Sequence, residues 1–322
     1  MVNRVDRSKH FKSFDDPFFT KNRDDITIFD FHIHTSASPD SKSKPQSIFE
    51  QASKPFVGNS FNRHYEHAHN FLDAIAFTDH DSMKNNGLAA KLAKETGLLQ
   101  VFGVEFTTTH NGVFPHIVLL HHQQQVLDSL YIALNQSVIN TPTFLPQMMR
   151  SLWYAGLRYP TVLPLEKVLQ VLQDFPEILV IVSHPEVGER RNVVTGVNLK
   201  KRRNRPITSL TLDEVEDLLH YNVIDGLEVT NEKYDPEMDP DRLAFCEELN
   251  IPGFGFSDAH IPHAVGSVAS WVEGKFEDGE SLLAALRTQP VGTVMQHVSV
   301  KEKSKKRVRD SELLRGPSLQ PA

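Results

Sequence analysis

The chain has 322 residues, 39% hydrophobic and 23% charged, a balance that places it among globular proteins with room for one large domain or two modest ones. Lysine and arginine number 34 against 41 aspartates and glutamates, leaving a net charge of −7; the whole surface therefore has no general attraction for nucleic acid or anionic membrane, and an anionic ligand needs a local cationic device. The single cysteine, Cys246, excludes a disulfide framework, a cysteine-rich zinc site and an iron–sulfur cluster, and fits a reducing compartment, with the cytoplasm as the expected location.

In chain order, residues 1–24 are polar and without apolar periodicity and are expected to be a tail, with no signal peptide; no apolar run is long enough to span a bilayer. The apolar run 26–33 reads as a strand, followed by a helix over 45–54, a strand over 74–77 and a helix over 84–96 that Asp81 or Ser82 caps and Gly97 closes. The next two strands, 98–106 and 114–120, leave room only for a hairpin, and Asn111-Gly112 is the dipeptide that favours a type I′ turn. Those two strands should therefore be antiparallel neighbours. Helices over 126–136 and 164–173 lead to a strand over 178–182. The segment 186–210 lacks periodicity and is a candidate lid or binding loop. Thr211 with Glu214 forms a capping box for a helix over 211–220, and strands at 223–229 and 251–256 flank a helix at 239–249. Residues 299–322 are basic and expected to be a second tail, so a single domain spans 25–298. Alternation of this kind argues for a parallel-dominated α/β fold, a barrel of the (βα)7 type.

Sixteen histidines are many for a chain without a polyhistidine tract. Polar residues with ligand chemistry fall at or near the ends of successive apolar runs: His32 and His34, Asp79-His80-Asp81, Glu105, Ser183-His184, then Asp258 and His260. In a barrel of parallel strands those ends converge on one face. His32 and His34 are two apart, as are Asp258 and His260, so each pair projects to one side of an extended segment. If Asn111-Gly112 is the turn, Thr107 lies opposite His116 and Glu105 becomes its diagonal neighbour. Imidazoles and carboxylates crowded into one pocket need partners, which divalent cations supply; Mn²⁺, Zn²⁺ and Fe²⁺ suit this donor set, and so many ligands imply two or three ions.

Taken together, Asp30-Phe31-His32-Ile33-His34-Thr35 with Ser38-Pro39-Asp40-Ser41, Thr78-Asp79-His80-Asp81, Gly103-Val104-Glu105, His116, Ser183-His184-Pro185 and Ser257-Asp258-Ala259-His260 resemble the motifs of the PHP (polymerase and histidinol phosphatase) superfamily. The resemblance covers roughly 26–270. It implies a distorted barrel holding a trinuclear metal centre at the C-terminal ends of its strands, and phosphoesterase chemistry. It also implies the metal ligands His32, His34, Asp40, His80, Glu105, His116, His184, Asp258 and His260, with Glu105 as the bridging carboxylate and Asp30, Asp79 and Asp81 around them. The expected reaction is hydrolysis of a small phosphorylated metabolite or nucleotide by in-line attack of a hydroxide bridging the ions, with His184 or a nearby carboxylate such as Asp79 as the candidate proton donor.

Arg190, Arg191 and His263 are candidate contacts to a substrate phosphate. No GxxxxGK[ST] loop or GxSxG elbow occurs, and Gly253-Phe254-Gly255-Phe256-Ser257-Asp258 misses the last glycine of GxGxxG. Cys246 has no arginine placed for cysteine-phosphatase chemistry and reads as a small buried side chain. The alternatives are a nuclease of the same superfamily acting on DNA or RNA ends, disfavoured by the acidic charge, and a binuclear amidohydrolase. No membrane partner is expected.

Overall fold

The computed structural model describes residues 11–13, 22–53, 72–139, 163–185, 209–231 and 239–295. Arg190 and Arg191, the expected loop up to residue 208, and the segment 299–322 lie outside the described residues. Among those described, the strands are β1 (Phe11–Ser13), β2 (Ile26–Ile33), β3 (Ala74–Phe77), β4 (Leu99–Thr109), β5 (His116–His121), β6 (Leu163–Pro164), β7 (Leu179–Val182), β8 (Gly226–Thr230), β9 (Gly253–Gly255), β10 (Val268–Glu273) and β11 (Gly292–Met295). The helices are α1 (Pro45–Ala52), α2 (Asn86–Thr96), α3 (Gln124–Ile139), α4 (Leu165–Leu172), α5 (Leu212–Leu218), α6 (Asp239–Leu249) and α7 (Gly279–Leu286).

One sheet holds all the strands in the order β1-β11-β10-β2-β3-β4-β5-β7-β8-β9, with β6 beside β4. The pairs β2–β3, β3–β4, β7–β8 and β8–β9 are parallel, as strand and helix alternation predicts. β5 is antiparallel to both β4 and β7, and β10 to both β11 and β2. Those two reversed strands are what distorts the barrel. β10, β11 and α7 were not expected from the sequence, and β1 lies in the stretch read as a tail, where it pairs parallel with β11.

The sheet curls until its β9 edge meets β10. Ser270 of β10 donates its hydroxyl to the Gly255 carbonyl (3.0 Å) and accepts the Gly255 N–H (2.9 Å), bridging a gap no ladder spans. Above that seam, His34 N–H donates to Ala259 O and Ala259 N–H to His32 O, so the segment after β9 seals against β2. The result is a nearly closed barrel.

Side chains alternate between its two faces. Val104 and Phe106 of β4, Ile117 and Leu119 of β5, and Val180 and Val182 of β7 point outward into a core shared with α3, α4 and α5. Their neighbours Val101, Val118, Leu120, Leu179 and Ile181 fill the interior with Phe29, Phe31, Phe254 and Phe256. Each buried Phe contributes about 2–3 kcal/mol. This apolar plug fills the lower barrel and leaves the upper interior to polar groups. Gly103 and Gly226 face the interior, where a Cβ at Gly103 would come within 2.8 Å of Thr78 and one at Gly226 would overlap the Phe254 ring, so only glycine fits.

The expected hairpin is present. Thr107 pairs with His116, and His110 and Val113 exchange backbone hydrogen bonds around Asn111 (φ 45°) and Gly112 (φ 84°), both left-handed as a type I′ turn requires. The Thr211–Glu214 capping box forms, and Gly97 ends α2 in a left-handed conformation (φ 73°). The start of α2 differs: its N-cap is Asn85, and Asp81 instead accepts the Thr107 N–H at 2.8 Å.

Candidate metal centre

A break in strand regularity puts the first histidines in place. Along β2, Ile26 and Ile28 face the outer core while Phe29 and Phe31 face the interior. Strict alternation would send His32 outward with Ile28. The register against β3 shifts between Asp30 and Ile33, and Ile33 returns to the outer core. This bulge turns His32 and His34 inward, their rings 5.1 Å apart.

Glu105 stands at the centre, fully buried on β4. Its Oε1 lies 3.2 Å from His32 Nε2, 3.0 Å from His116 Nδ1 and 3.0 Å from His184 Nε2, and its Oε2 lies 2.8 Å from His80 Nδ1 and 3.3 Å from His34 Nε2. The hairpin register predicted the His116 contact; the others come from β2, β3 and β7 converging over the plug. An outer group completes the cluster. Asp40 Oδ2 lies 2.8 Å from His260 Nε2 and 3.4 Å from His80 Nε2, and Asp258 Oδ1 lies 3.3 Å from His34 Nε2 and 3.4 Å from His260 Nδ1. All nine side chains that the family resemblance implied as ligands therefore lie in one cluster.

His32 Nε2, His34 Nε2, His80 Nδ1, His116 Nε2, His184 Nδ1 and Glu105 Oε2 are buried and make no hydrogen bond. Several of them lie within 3.3 Å of a carboxylate oxygen. Each orphaned polar atom costs about 1–3 kcal/mol, which lone-pair donation to a divalent ion would offset. Ligand atoms within 4.8 Å of one another fall into three groups: His34, Asp40, His80 and His260; His32, His34 and Glu105; His80, Glu105 and His116. These residues fit divalent metal ions.

Burial pushes His34 down to about 3 and His116 down to about 4, favouring the neutral imidazole that ligates. Burial opposes the charge on Glu105 too, but His80, His116 and His32 outweigh it and hold its carboxyl well below the usual range. Asp40 is likewise held low, against burial, by its hydrogen bonds to His260 and His80.

A layer of hydrogen bonds supports the cluster. Asp79 turns its oxygens to Thr35 N–H (2.6 Å), Thr35 hydroxyl (2.6 Å) and Ser38 N–H (3.1 Å), so it holds the loop that carries Asp40. Asp30 accepts Ser257 N–H and Gly266 N–H, tying β2 to the segment after β9; burial raises its pKa to about 6. Ser38 Oγ lies 2.8 Å from His34 Nδ1 and accepts His80 N–H, and Ser41 and Ser43 both donate to His260 O. Asp81, His184 and Asp258 all have left-handed backbones (φ 49°, 31° and 48°), a strain of about 1–3 kcal/mol each that such sites concentrate. His263 sits exposed on a 3₁₀ turn over Pro262–Ala264 beside His260.

Sequence reading missed Glu228. It is completely buried at the cluster's edge, with Oε2 3.1 Å from His32 Nδ1 and accepting His184 N–H at 3.0 Å. A signal was present: Gly226-Leu227-Glu228-Val229-Thr230 repeats the pattern of Gly103-Val104-Glu105-Phe106-Thr107, with a charged residue at an inward position of an apolar strand.

Residues 243–290 match the sequence profile of a family described as PHP-associated. None of the curated proteins matches the chain. Among solved structures, a presumed metal-dependent phosphoesterase from Bifidobacterium adolescentis superposes with a TM-score of 0.50 at 16% identity, covering 80% of this chain and 96% of that one. A two-domain protein from Bacteroides vulgatus, containing a predicted PHP-like metal-dependent phosphoesterase, superposes with a TM-score of 0.52 at 17% identity over 84% of this chain and 65% of the other. The chain thus spans just under two thirds of that second protein. At these identities the likeness is one of fold, a distorted barrel with the same overall course.

Proposed function

We propose that this chain is a metal-dependent phosphoesterase of the PHP superfamily that hydrolyses a small phosphorylated metabolite or nucleotide at the Glu105 cluster. The observation that carries the proposal is the ring of buried imidazole nitrogens around one buried carboxylate, several of them without a protein partner. Such a site is costly unless cations fill it. Two or three divalent ions suit the overlapping ligand groups, with Mn²⁺, Zn²⁺ or Fe²⁺ the metals that match imidazole and carboxylate together.

When bound, such ions lower the pKa of water and neutralise phosphate oxygens. The chain's own residues do the rest. Glu105, reached by imidazoles on both of its oxygens, would be a central ligand to such ions. Asp40 and His260 are the most exposed members, at 31% and 21%, so a phosphate enters on their side, while His32, His34 and Glu105 lie out of reach of solvent below. His184, at the end of β7 with Nε2 3.0 Å from Glu105 Oε1, is proposed to pass a proton to the leaving alkoxide. The exposed His263, beside His260, is proposed to touch the substrate phosphate, with Arg190 and Arg191 as further contacts.

The test is turnover by the purified protein, with added Mn²⁺ or Zn²⁺, of a panel of sugar, amino-alcohol and nucleotide phosphates beside single-stranded DNA and an amide substrate. Metal-dependent release of phosphate from small esters is expected. Cleavage of oligonucleotides alone would favour a nuclease, and amide cleavage without phosphate release would contradict the proposal.

A further inference from the structure

The metal cluster leaves one buried carboxylate unused. Glu228 is fully buried on β8, and its contacts point at the cluster's supports. Oε2 lies 3.1 Å from His32 Nδ1 and accepts the His184 N–H at 3.0 Å, while Oε1 accepts from Asn231 Nδ2 at 3.0 Å. His32 therefore has one ring nitrogen on Glu228 and the other, Nε2, without a hydrogen bond and 3.2 Å from Glu105 Oε1. His184 is the residue whose backbone is left-handed at φ 31°, a conformation a histidine keeps only when its surroundings impose it. One carboxylate oxygen thus touches two members of the cluster, coming from β2 and from the end of β7.

We propose that Glu228 is a positioning residue for the metal centre, fixing the tautomer and tilt of His32 through Nδ1–H and clamping the strained backbone of His184. With Nδ1–H donated to Glu228, the lone pair of His32 sits on Nε2 and faces inward, the arrangement in which a carboxylate behind an imidazole sharpens a metal ligand. The β4 and β8 strands then use the same Gly-x-Glu-x-Thr pattern for different ends. The glycine makes room for the plug and the glutamate faces the upper interior; on β4 it meets five imidazoles, and on β8 it stands one layer behind them.

The inference rests on the metal-dependent reading of the site. It is tested with the full chain, stripped of metal, as wild type, Glu228→Ala, Glu228→Gln and Glu228→Asp, titrated with Mn²⁺ by calorimetry and with Co²⁺ by visible spectroscopy, with circular dichroism to check folding. Gln keeps the reach of Glu and loses its charge, and Asn231 can turn its amide to accept from the new NH₂; Asp keeps the charge and loses the reach. Positioning predicts that Gln binds Mn²⁺ within a few-fold of wild type, while Asp and Ala fall roughly 10- to 100-fold and change the Co²⁺ spectrum. A role in folding alone would lower the melting temperature without moving that spectrum. Folded Glu228→Ala with wild-type affinity and spectrum overturns the inference. If Glu228→Ala does not fold, the comparison of Gln with Asp decides, and Asp binding as well as Gln or better overturns it. A wild type that binds neither ion sinks the metal-centre reading as well, a failure visible before any variant is compared.

Discussion

Glu105 is the residue on which the proposed chemistry turns. Its carboxylate meets imidazoles from four strands, so removing it leaves facing nitrogens with no shared anion. Glu105→Ala should lower kcat by on the order of 10³-fold or more and strip most bound metal, as measured by steady-state phosphate release and elemental analysis. At the opposite extreme, Cys246 is buried and burial pushes its thiol up to about 12. Because its folded pKa lies above the ordinary thiol value, the neutral form persists through pH 9. The native protein should therefore resist iodoacetamide at pH 8.5 and react with it only on unfolding, checked by mass spectrometry. Residue identity was highly legible in sequence wherever a histidine or acid followed an apolar run, as at His80 and His184. Glu228 was not, because a glutamate inside a strand looks like solvent-facing alternation until the barrel shows which face is inside. Asp79 was legible as a member of the neighbourhood, while its hold on Thr35 and Ser38 depends on tertiary contacts that no local pattern marks.

At the scale of elements, the β4–β5 hairpin brings Glu105 and His116 together, and its turn dipeptide made the register readable in advance. Gly112 sits at φ 84°, where an L side chain costs about 1–2 kcal/mol. Gly112→Ala should lower stability by about 1 kcal/mol and the melting temperature by a few degrees in a thermal scan, with the ligand contacts otherwise kept. The β2 bulge was invisible from sequence, because an extra residue in a strand leaves no compositional mark when both faces are apolar. β10 escaped for a related reason: Ser270 interrupts its apolar pattern, and that serine is what bridges the seam.

For the whole molecule, the ring of strands closes through few contacts, so the seam sets how well the two ends of the ligand set stay aligned. Ser270 meets both polar backbone groups of Gly255 in a buried place. Ser270→Ala should cost about 2–4 kcal/mol by leaving that N–H and carbonyl unsatisfied, while Ser270→Thr should retain most of it, both read from urea unfolding. The barrel class was legible from alternating strands and helices; its two reversed strands were legible only at the hairpin, since β10 depends on a long-range return that no local pattern marks. The central claim is that side chains from β2 through to the segment after β9 share bound cations. Elemental analysis of protein dialysed against Mn²⁺ tests it most directly. The account predicts roughly two to three ions per wild-type chain and a large loss in Glu105→Ala, whereas a wild-type chain that retains no metal, or a variant that retains as much, would contradict it.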